Sequence, residues 1–516
     1  MMSSPTALSI ATAAGLEAKL NAPDELVAHC PEADLARKLG HLVQEMDLAD
    51  LFATTVPGRN PRLTAVLEVP GDRSWLVVHS DLSQAEFPSL AAISHAASWY
   101  ERDILEMHGL VPQGHPAPHP LRQGEPSVID RAHGERHHQS GLGLAPRTAR
   151  RPAVTGQGVF ELPLGPVRSG PQESGGFTFF SGGEDIVITD MTLGFKFRAI
   201  ERIAEGRSPE NVIPLAERLA GTSSFANALA FARAVERVLG TSASLPEQFT
   251  RTLFAELERT HSHLGVIGHL AEATGLQVAA AQYSMLREDV LRAAGRLAGH
   301  RYLRGIVRIG GTAIVPSPSA RSWLRSQVGA WRSQTQRLHH LLQETSTFVD
   351  RLETTAFLKP AYAAEHNLVG PVGRASGIDH DVRRDHPYGA YPRVQLLVPV
   401  LSEGDAKARF VLHAMELEQS FAILAQLLET WPDDSAPVPA PAVRSGSALG
   451  WAEAPGGETV HFVALDERGL VTRWRARPPA VVNWHPFAHA CASGNNLTDF
   501  PVIEASFGLS HAEFDR

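Results

Sequence analysis

Five long segments with a helical spacing of apolar residues constrain the fold of this chain more than any other feature. They are residues 209–239, 246–272, 285–304, 319–354 and 403–428. Helices of this length bury their apolar stripes by packing against one another, so the pattern predicts a helix bundle. Before them, GVFELPLGPVRSGPQESGGFTFFSGGEDIVITD predicts a small antiparallel sheet with a long hairpin, and VHFVALDERGLVTRWRARPP follows them as a late β region.

The N-terminal part, residues 1–122, predicts a separate and smaller α/β domain. LTAVLEVP and SWLVVHSDL alternate as half-buried strands do. The segment LAAISHAASWYERDILEMHGL predicts a helix that ends at Gly109. Its apolar stripe consists of Ile93, Ala97, Tyr100, Ile104 and Met107. The predicted fold class is therefore α+β: this small α/β domain, followed over 156–516 by a mainly α-helical bundle with a small antiparallel β-sheet.

Residues 123–155 predict an interdomain linker, because they are polar, basic and poor in apolar periodicity. They contain His133, His137 and His138. A metal site formed by these histidines is the alternative, but nothing in the surrounding sequence orders them as ligands. We therefore favour a solvated linker.

Composition excludes several classes of protein. The 516 residues include 47 basic and 56 acidic side chains, a net charge of -9, so no nucleic-acid partner is expected. Cys30 and Cys491 are the two cysteines, too few for a disulfide framework or for an iron–sulfur cluster of this chain's own. No signal peptide and no window of about 20 apolar residues is recognisable, so a membrane role is expected to be peripheral.

The stretch ERLAGTSSFANALAFARAVE, residues 217–236, has the spacing of a metal site without its ligands. Ala220 and Ser223 are three residues apart, which places them on one face if the segment is helical. Two thiolates at this spacing would bind a transition metal. A methyl group and a neutral hydroxyl cannot replace them, because such metals select soft anionic sulfur.

Motifs in both halves resemble complex I and its relatives. WYERDILEMHGLVPQGHP resembles the 30-kDa-type subunit of complex I, with matches at Glu101, Arg102, Gly109, Gly114, His115 and Pro116. Blocks over 156–516, among them ELERTHSHLGVIGHLAEATG and GRASGIDHDVRRDHPYGAY, resemble the 49-kDa-type subunit of complex I. They are more similar to the large subunit of membrane-bound group 4 nickel-iron hydrogenases, including the fused formate hydrogenlyase large subunit.

The resemblance implies which positions would hold the metals. The hydrogenase pattern Glu-Arg-(Ile/Val)-Cys-Gly-x-Cys-Gly-x-Ala-His matches Glu217, Arg218, Gly221 and Ala226, and its histidine falls on Asn227. Its cysteines, with those of the C-terminal pattern, fall on Ala220, Ser223, Ser510 and Glu513. An intact nickel-iron centre is therefore not expected, and a true hydrogenase is the third hypothesis.

The complex I resemblance fails at another position. The tyrosine implicated there in holding the quinone headgroup is Gly221 here, and the hairpin position of a quinone-binding histidine is nearest to Arg168. A quinone in this chain would consequently be held differently. It is the one further ligand that the resemblance suggests.

Two residues within the matched blocks are predicted to carry chemistry. Glu173 matches the hydrogenase glutamate that passes protons to and from the metal pocket; the alternative is a surface glutamate in a turn. Arg218 matches the complex I arginine beside the terminal iron–sulfur cluster of the neighbouring subunit, where a guanidinium raises the cluster's reduction potential. The alternative is an ion pair with Glu217 or with another helix carboxylate. Complex I has a histidine nearby where this chain has Leu303.

Other polar residues of the matched blocks have plainer interpretations. His261 and His263 belong to a long helical segment, where a neutral ring is expected to bridge helices rather than to bind metal. The charged residues of RASGIDHDVRR would line a proton path or hold a surface loop together, and the sequence leaves this choice open. They are Asp379, Asp381, Arg383 and Arg384.

The resemblance implies the large subunit of a membrane-associated, complex-I-like or hydrogenase-related oxidoreductase on the cytoplasmic face of the inner or plasma membrane. Its expected partners are an iron–sulfur small subunit and antiporter-like subunits of a membrane arm. NADH, formate or ferredoxin would supply electrons through partners, because no NAD-binding fingerprint occurs in this chain. It would couple the arriving electrons to proton movement. The alternative is a catalytically silent scaffold subunit.

Overall fold

The computed structural model describes residues 6–22, 24–56, 58–119, 121–122, 154, 156–168, 173–432 and 443–516. Apart from Val154, the predicted linker 123–155 with His133, His137 and His138 lies outside the described residues. The predicted fold class is confirmed, with a sheet-containing N-terminal region and a mostly helical remainder.

The N-terminal region is built on a five-stranded sheet. Its strands are β1 (Ala18–Ala22), β2 (Glu25–His29), β3 (Asp47–Thr54), β4 (Arg62–Glu68) and β5 (Trp75–Asp81), in the order β1-β2-β5-β4-β3. Strands β2 and β5 are parallel and the other neighbours antiparallel. A short pair, β6 (Glu86–Pro88) and β7 (Val111–Gln113), and helices α1 (Ala7–Ala13), α2 (Leu35–Glu45) and α3 (Ala97–His108) complete the region.

Helix α3 confirms the predicted helix but is shorter than its apolar stripe. It begins at Ala97, because residues 91–96 form turns, and Ile93 is 47% exposed outside it. Its end is as predicted: Gly109 caps it in the left-handed region at φ +67°.

Two small sheets carry the predicted β regions of the remainder. The first contains β8 (Val159–Leu164), β9 (Gly176–Gly182) and β10 (Asp185–Thr192), and all of its pairings are antiparallel. After the short β11 (Val307–Arg308) and β12 (Gly311–Thr312), the second contains β13 (Gly446–Ala454), β14 (Gly457–Leu465) and β15 (Val471–Arg477). The hairpin and the late β region are thus confirmed, whereas β13 had not been predicted.

Helices make up most of residues 200–516. They are α4 (Ile200–Ala204), α5 (Pro209–Ala216), α6 (Ser224–Leu239), α7 (Leu245–Ala273), α8 (Gln277–Ala298), α9 (Pro318–Gln343), α10 (Ser346–Leu352), α11 (Pro360–Glu365), α12 (Gly370–Arg374), α13 (Val382–Asp385), α14 (Ala406–Glu429), α15 (Pro479–Asn483), α16 (Phe487–Ala492), α17 (Phe500–Phe507) and α18 (His511–Asp515). No helix in the described part of the chain is long and apolar enough to cross a membrane.

The predicted helix over 209–239 is interrupted at residues 217–223. There the Ser224 hydroxyl donates to the carbonyl oxygens of Glu217 and Ala220, at 2.8 and 3.1 Å. Ala220 and Ser223 therefore precede α6 and do not share a face of a helix, which corrects the helical alternative of the sequence analysis. The predicted helix over 319–354 also divides, into α9 and α10.

The N-terminal sheet packs directly against the second small sheet. The rings of Phe52 and Phe462 lie 5.1 Å apart, and those of Trp75 and Trp451 lie 5.6 Å apart. Beside these contacts, the buried Arg475 of β15 makes two 2.9 Å hydrogen bonds to the Asp50 carboxylate of β3. The two regions are consequently joined by apolar and charged contacts.

Candidate functional site

The C-terminal tail folds back onto the segment that follows the first hairpin strand. Ser510 caps α18 by accepting the N–H of Glu513, and its hydroxyl donates to a carboxylate oxygen of Glu173 at 2.9 Å. The Ala512 N–H donates to the same oxygen at 2.8 Å. Two of the predicted positions, 173 and 510, are therefore in direct contact.

A second buried contact joins the tail to the start of α6. The Ser223 hydroxyl donates to Glu513 Oε1 at 2.5 Å, and Asn227 Nδ2 donates to the same oxygen at 3.2 Å and to Ser223 Oγ at 3.0 Å. Burial raises the pKa of Glu513 to about 7, an effect that Glu173 reinforces and the Ser223 and Asn227 donors oppose. The side chains of Ser223 and Glu513 are therefore in direct contact.

The network continues behind Asn227 into β14. Its amide oxygen accepts hydrogen bonds from Thr459 Oγ1 at 2.9 Å and from His461 Nε2 at 3.3 Å. His461 Nδ1 accepts the indole N–H of Trp474 at 3.2 Å, so the ring proton lies on Nε2. Burial lowers the pKa of His461 to about 3, which keeps this ring neutral. Asn227 consequently connects the tail to the core.

A cavity of about 570 Å³ lies next to these contacts. Its walls include Glu173, Gly221, Thr222, Tyr302, Ser510 and His511. Arg168, at the position that the resemblance places nearest to a quinone-binding histidine, also lines it and forms an ion pair with Glu504. Its Nη1 donates to Glu504 Oε2 at 2.8 Å, and its Nη2 lies 2.7 Å from Glu504 Oε1. A space large enough for a small molecule therefore opens beside the predicted proton-relay residue.

Arg218 lies on the surface near this cavity. Its Nη1 donates to the carbonyl oxygen of Pro214 at 3.1 Å, and the side chain is exposed. The buried carboxylate of Glu217 accepts the Gly305 N–H at 2.5 Å. Within the described residues it forms no ion pair with Arg218. Burial lowers the pKa of His300, and the nearby charges of Arg304, Arg218 and Arg301 lower it further. These three arginines make the surface basic.

The other polar residues singled out in the sequence divide into buried and exposed groups. His263 Nδ1 lies 2.9 Å from His413 Nδ1 and so bridges α7 and α14, as expected for a neutral ring. Arg383 binds Asp381 in the interior, whereas the contact of Arg384 with Asp379 is at the surface. The loop therefore serves both as core and as surface structure. His261 packs edge-on to Tyr302.

Several residues of the cavity wall are not predicted from the sequence, among them His269, Arg287, Glu504 and His511. Arg287 opens the matched block REDVLRAAGRLAGHRYLRG, and His511 directly follows Ser510, so their positions could have drawn attention. Nothing in the local sequence indicates that they meet, because they come from α7, α8, α17 and α18.

Comparison with known proteins identifies both regions. The respiratory-chain NADH dehydrogenase 30 Kd subunit family matches residues 30–125, and the 49 Kd subunit family matches residues 274–444. Formate hydrogenlyase subunit 5 of Escherichia coli (strain K12) is 28% identical over 471 residues, 86% of this chain and 80% of that protein. Hydrogenase-4 component G of the same organism is 30% identical over 461 residues, covering 86% and 79%.

The chain belongs to the family of hydrogenase-4 component G and formate hydrogenlyase subunit 5. Members of this family are subunits of complex-I-like, hydrogenase-related oxidoreductases. A solved structure of the membrane-bound sulfane sulfur reductase, an archaeal respiratory membrane complex, contains a chain that is 26% identical. It aligns with a TM-score of 0.66 over 70% of this chain and 100% of that chain. The resemblance stated from the motifs is thereby confirmed.

The nickel-iron group of the hydrogenases does not fit the residues of this family member. The four positions that the resemblance assigns to its thiolates present one methyl group, two hydroxyls and a carboxyl group, from Ala220, Ser223, Ser510 and Glu513. These are poor donors for a metal that selects sulfur. Ser223 and Glu513 are hydrogen-bonded to each other and Ser510 to Glu173, so the protein already uses their oxygens.

Proposed function

We propose that this chain passes electrons from an iron–sulfur cluster of a partner subunit to a small acceptor in the cavity, without a nickel-iron centre of its own. It couples this transfer to proton movement. The carrying observation is the 570 Å³ cavity, which lies beside Glu173 while the tail and the segment before α6 occupy the positions assigned to the metal ligands. Two classes of acceptor are considered: a quinone, which the resemblance implies, and a sulfane sulfur compound, by analogy with the membrane-bound sulfane sulfur reductase.

The basic surface around Arg218 supports this part of the chain as the place where the partner's iron–sulfur cluster docks. Arg218 is exposed, and its charge acts on His300 together with those of Arg304 and Arg301. Arg304 Nε also lies 3.5 Å from Ser224 Oγ, which follows Gly221 and Thr222 of the cavity wall in the chain. An iron–sulfur cluster with its cysteine thiolates is negatively charged, so such a surface favours its approach. Arg218 would raise the reduction potential of the docked cluster by its charge and its free donors.

Glu173 is the residue that we propose for proton relay. It lines the cavity and accepts hydrogen bonds from the Ser510 hydroxyl and the Ala512 N–H, which hold its carboxylate at the wall. From there it can deliver a proton to a reduced acceptor. Glu513, whose pKa burial raises to about 7, lies behind it and can exchange protons near neutral pH.

The proposed partners follow from the family. They are an iron–sulfur small subunit at the Arg218 surface and antiporter-like membrane-arm subunits, with this chain peripheral on the cytoplasmic face of the membrane. The respiratory membrane complex to which the solved relative belongs supports this assembly.

The test is the Glu173→Gln variant in the purified complex. The amide keeps the size and accepts the same hydrogen bonds but cannot carry the proton, so acceptor-dependent reoxidation of the partner cluster should slow about tenfold or more. Rapid-mixing electron paramagnetic resonance measures this rate, and Glu184→Gln, in the exposed turn between β9 and β10, is the matched control. Unchanged reoxidation together with unchanged proton translocation contradicts the relay.

A structural subunit is the second candidate function. The hydrogen-bonded side chains of Ser223, Asn227 and Glu513 favour it, because they close the inner site as a packed core would. Elemental analysis for nickel and a screen of quinones and polysulfides against the reduced complex discriminate between the two. Reoxidation by any of these acceptors without nickel supports electron transfer, and its absence supports the structural function.

A further inference from the structure

The two arginines that line the cavity differ in their partners. Arg168 forms an ion pair with Glu504, with a hydrogen bond of 2.8 Å from Nη1 and a second N–O contact of 2.7 Å from Nη2. Arg287 forms no ion pair or hydrogen bond with any residue that the structure describes, whereas the Nε atoms of both arginines are buried without a partner. Partly burying a guanidinium without an anion costs hydration free energy that a bound anion would restore.

The position of the Arg287 side chain depends on a glycine in the neighbouring helix α7. A Cβ atom added at Gly265 of α7 would lie 3.3 Å from Arg287 Nε and 3.4 Å from its Cζ. The first distance is tighter than most packing contacts and the second is at the short end of ordinary contact, so the glycine leaves room for the guanidinium to lie against the helix.

The charge of Arg287 acts on the surrounding wall. Burial lowers the pKa of His269, which also lines the cavity, and Arg287 lowers it further. The same two causes lower the pKa of His261 to about 3. Both rings are consequently neutral at physiological pH and leave the positive charge to Arg287.

The carboxylates of the cavity wall do not compensate this charge. Glu504 binds Arg168, and Glu173 binds Ser510 and the Ala512 N–H. Glu272, the third, is exposed to solvent. Among the described residues, a guanidinium without a carboxylate in direct contact therefore remains on the wall formed by α7 and α8.

We propose that the cavity binds its electron acceptor through an anionic group held by the Arg287 guanidinium. This inference rests on the proposed function, since it takes the cavity as the site of the acceptor, and it adds that the acceptor is a small anion rather than a neutral molecule. A planar guanidinium suits an oxyanion or another compact anionic group, because it offers parallel N–H donors.

Two probes that share a ring system and differ in charge test the proposal. Naphthoquinone sulfonate is anionic and menadione is neutral, and binding of each to the purified complex is measured by calorimetry. We expect the sulfonate to bind more tightly. Arg287→Gln should weaken sulfonate binding about tenfold or more and leave menadione binding within about twofold, because a charged hydrogen bond is lost.

Two further variants test whether the effect is specific to the charge of Arg287. Arg292→Gln lies on the same helix, but Arg292 is exposed and bound to Glu288, so it should change neither affinity. Glu504→Gln should have the opposite effect to Arg287→Gln: it releases the charge of Arg168 into the cavity and tightens sulfonate binding without affecting menadione.

The proposal is overturned if the sulfonate binds no more tightly than menadione, or if Arg287→Gln weakens both probes equally. The proposed function is decided separately. Reoxidation of the partner cluster by menadione would preserve it even when sulfonate binding fails the test.

Discussion

At the scale of single residues, Glu513 carries the clearest change of chemistry. Its carboxyl group stands where the resemblance places a thiolate, and it is held by Ser223 and Asn227 in a buried contact. An oxygen acid in this position binds and releases a proton instead of a soft metal. The same backbone arrangement is thereby available to proton chemistry.

Removing the Ser223 hydroxyl tests how much this contact stabilises the fold. Ser223→Ala leaves the buried Glu513 oxygen without its shortest donor and should cost about 1–3 kcal/mol. The fall in the thermal unfolding midpoint measures the cost. Thr222→Ala, the adjacent exposed hydroxyl, should leave the midpoint unchanged, and an equal fall in both variants would contradict the role of the contact.

At the scale of elements, apolar spacing predicted which segments are helical but not where they break. Helix α7 extends over Leu245–Ala273, close to the predicted 246–272, because its stripe and its capping box at Ser244 agree. The segment over 209–239 has a comparable stripe and yet turns at 217–223. There, the side-chain contacts of Ser224 and the Glu217–Gly305 contact replace helical hydrogen bonds.

Histidines cluster where α3 meets helices of the larger region. His485 stacks on Trp99 at 4.9 Å, and His366 lies 4.6 Å from His485. Burial holds the pKa of His485 well below the ordinary value of 6.5, and the charges of His366, Arg102 and His95 lower it further. The folded chain consequently excludes a proton that the unfolded chain accepts.

This arrangement predicts a loss of stability in acid. As the pH falls through about 6.5, the unfolded state gains a proton at His485 and the folded state does not, so unfolding becomes easier. His485→Phe keeps the stacking on Trp99 and removes the titration. Its thermal midpoint should fall less between about pH 7.5 and pH 5.5 than that of the parent chain, and parallel curves would refute the assignment.

At the scale of the whole molecule, buried ion pairs join the N-terminal sheet to the rest. Arg475 binds Asp50 and Asp103, and Arg516 binds Asp103 and Glu201, all with little exposure. Because the tail that carries Ser510 and Glu513 ends in this cluster, the docking of the N-terminal region also fixes the cavity wall.

Substitution of Asp50, compared with substitution of the more exposed Asp81, tests how much the buried ion pairs stabilise this docking. Asp50 and Asp81 each accept two hydrogen bonds from one arginine, but the Asp50 pair is 3% exposed on both sides and the Asp81 pair 39–47% exposed. Asp50→Asn should cost about 1.5–3 kcal/mol, because the buried Arg475 loses two charged hydrogen bonds and keeps Asp103 as its remaining partner. Asp81→Asn should cost less than about 1 kcal/mol. Denaturant unfolding measures both, and similar costs would contradict the argument.

The sequence by itself determined the order of the matched blocks, the helical and β regions and the scarcity of cysteine, because periodicity and residue type are properties of the chain alone. Only the tertiary structure decided that Ser223 meets Glu513, 290 positions away, that Glu504 pairs with Arg168, and that Arg287 has no ion-pair partner among the described residues. Such contacts depend on how distant elements pack, since a buried charge is stabilised by whichever group the fold places beside it.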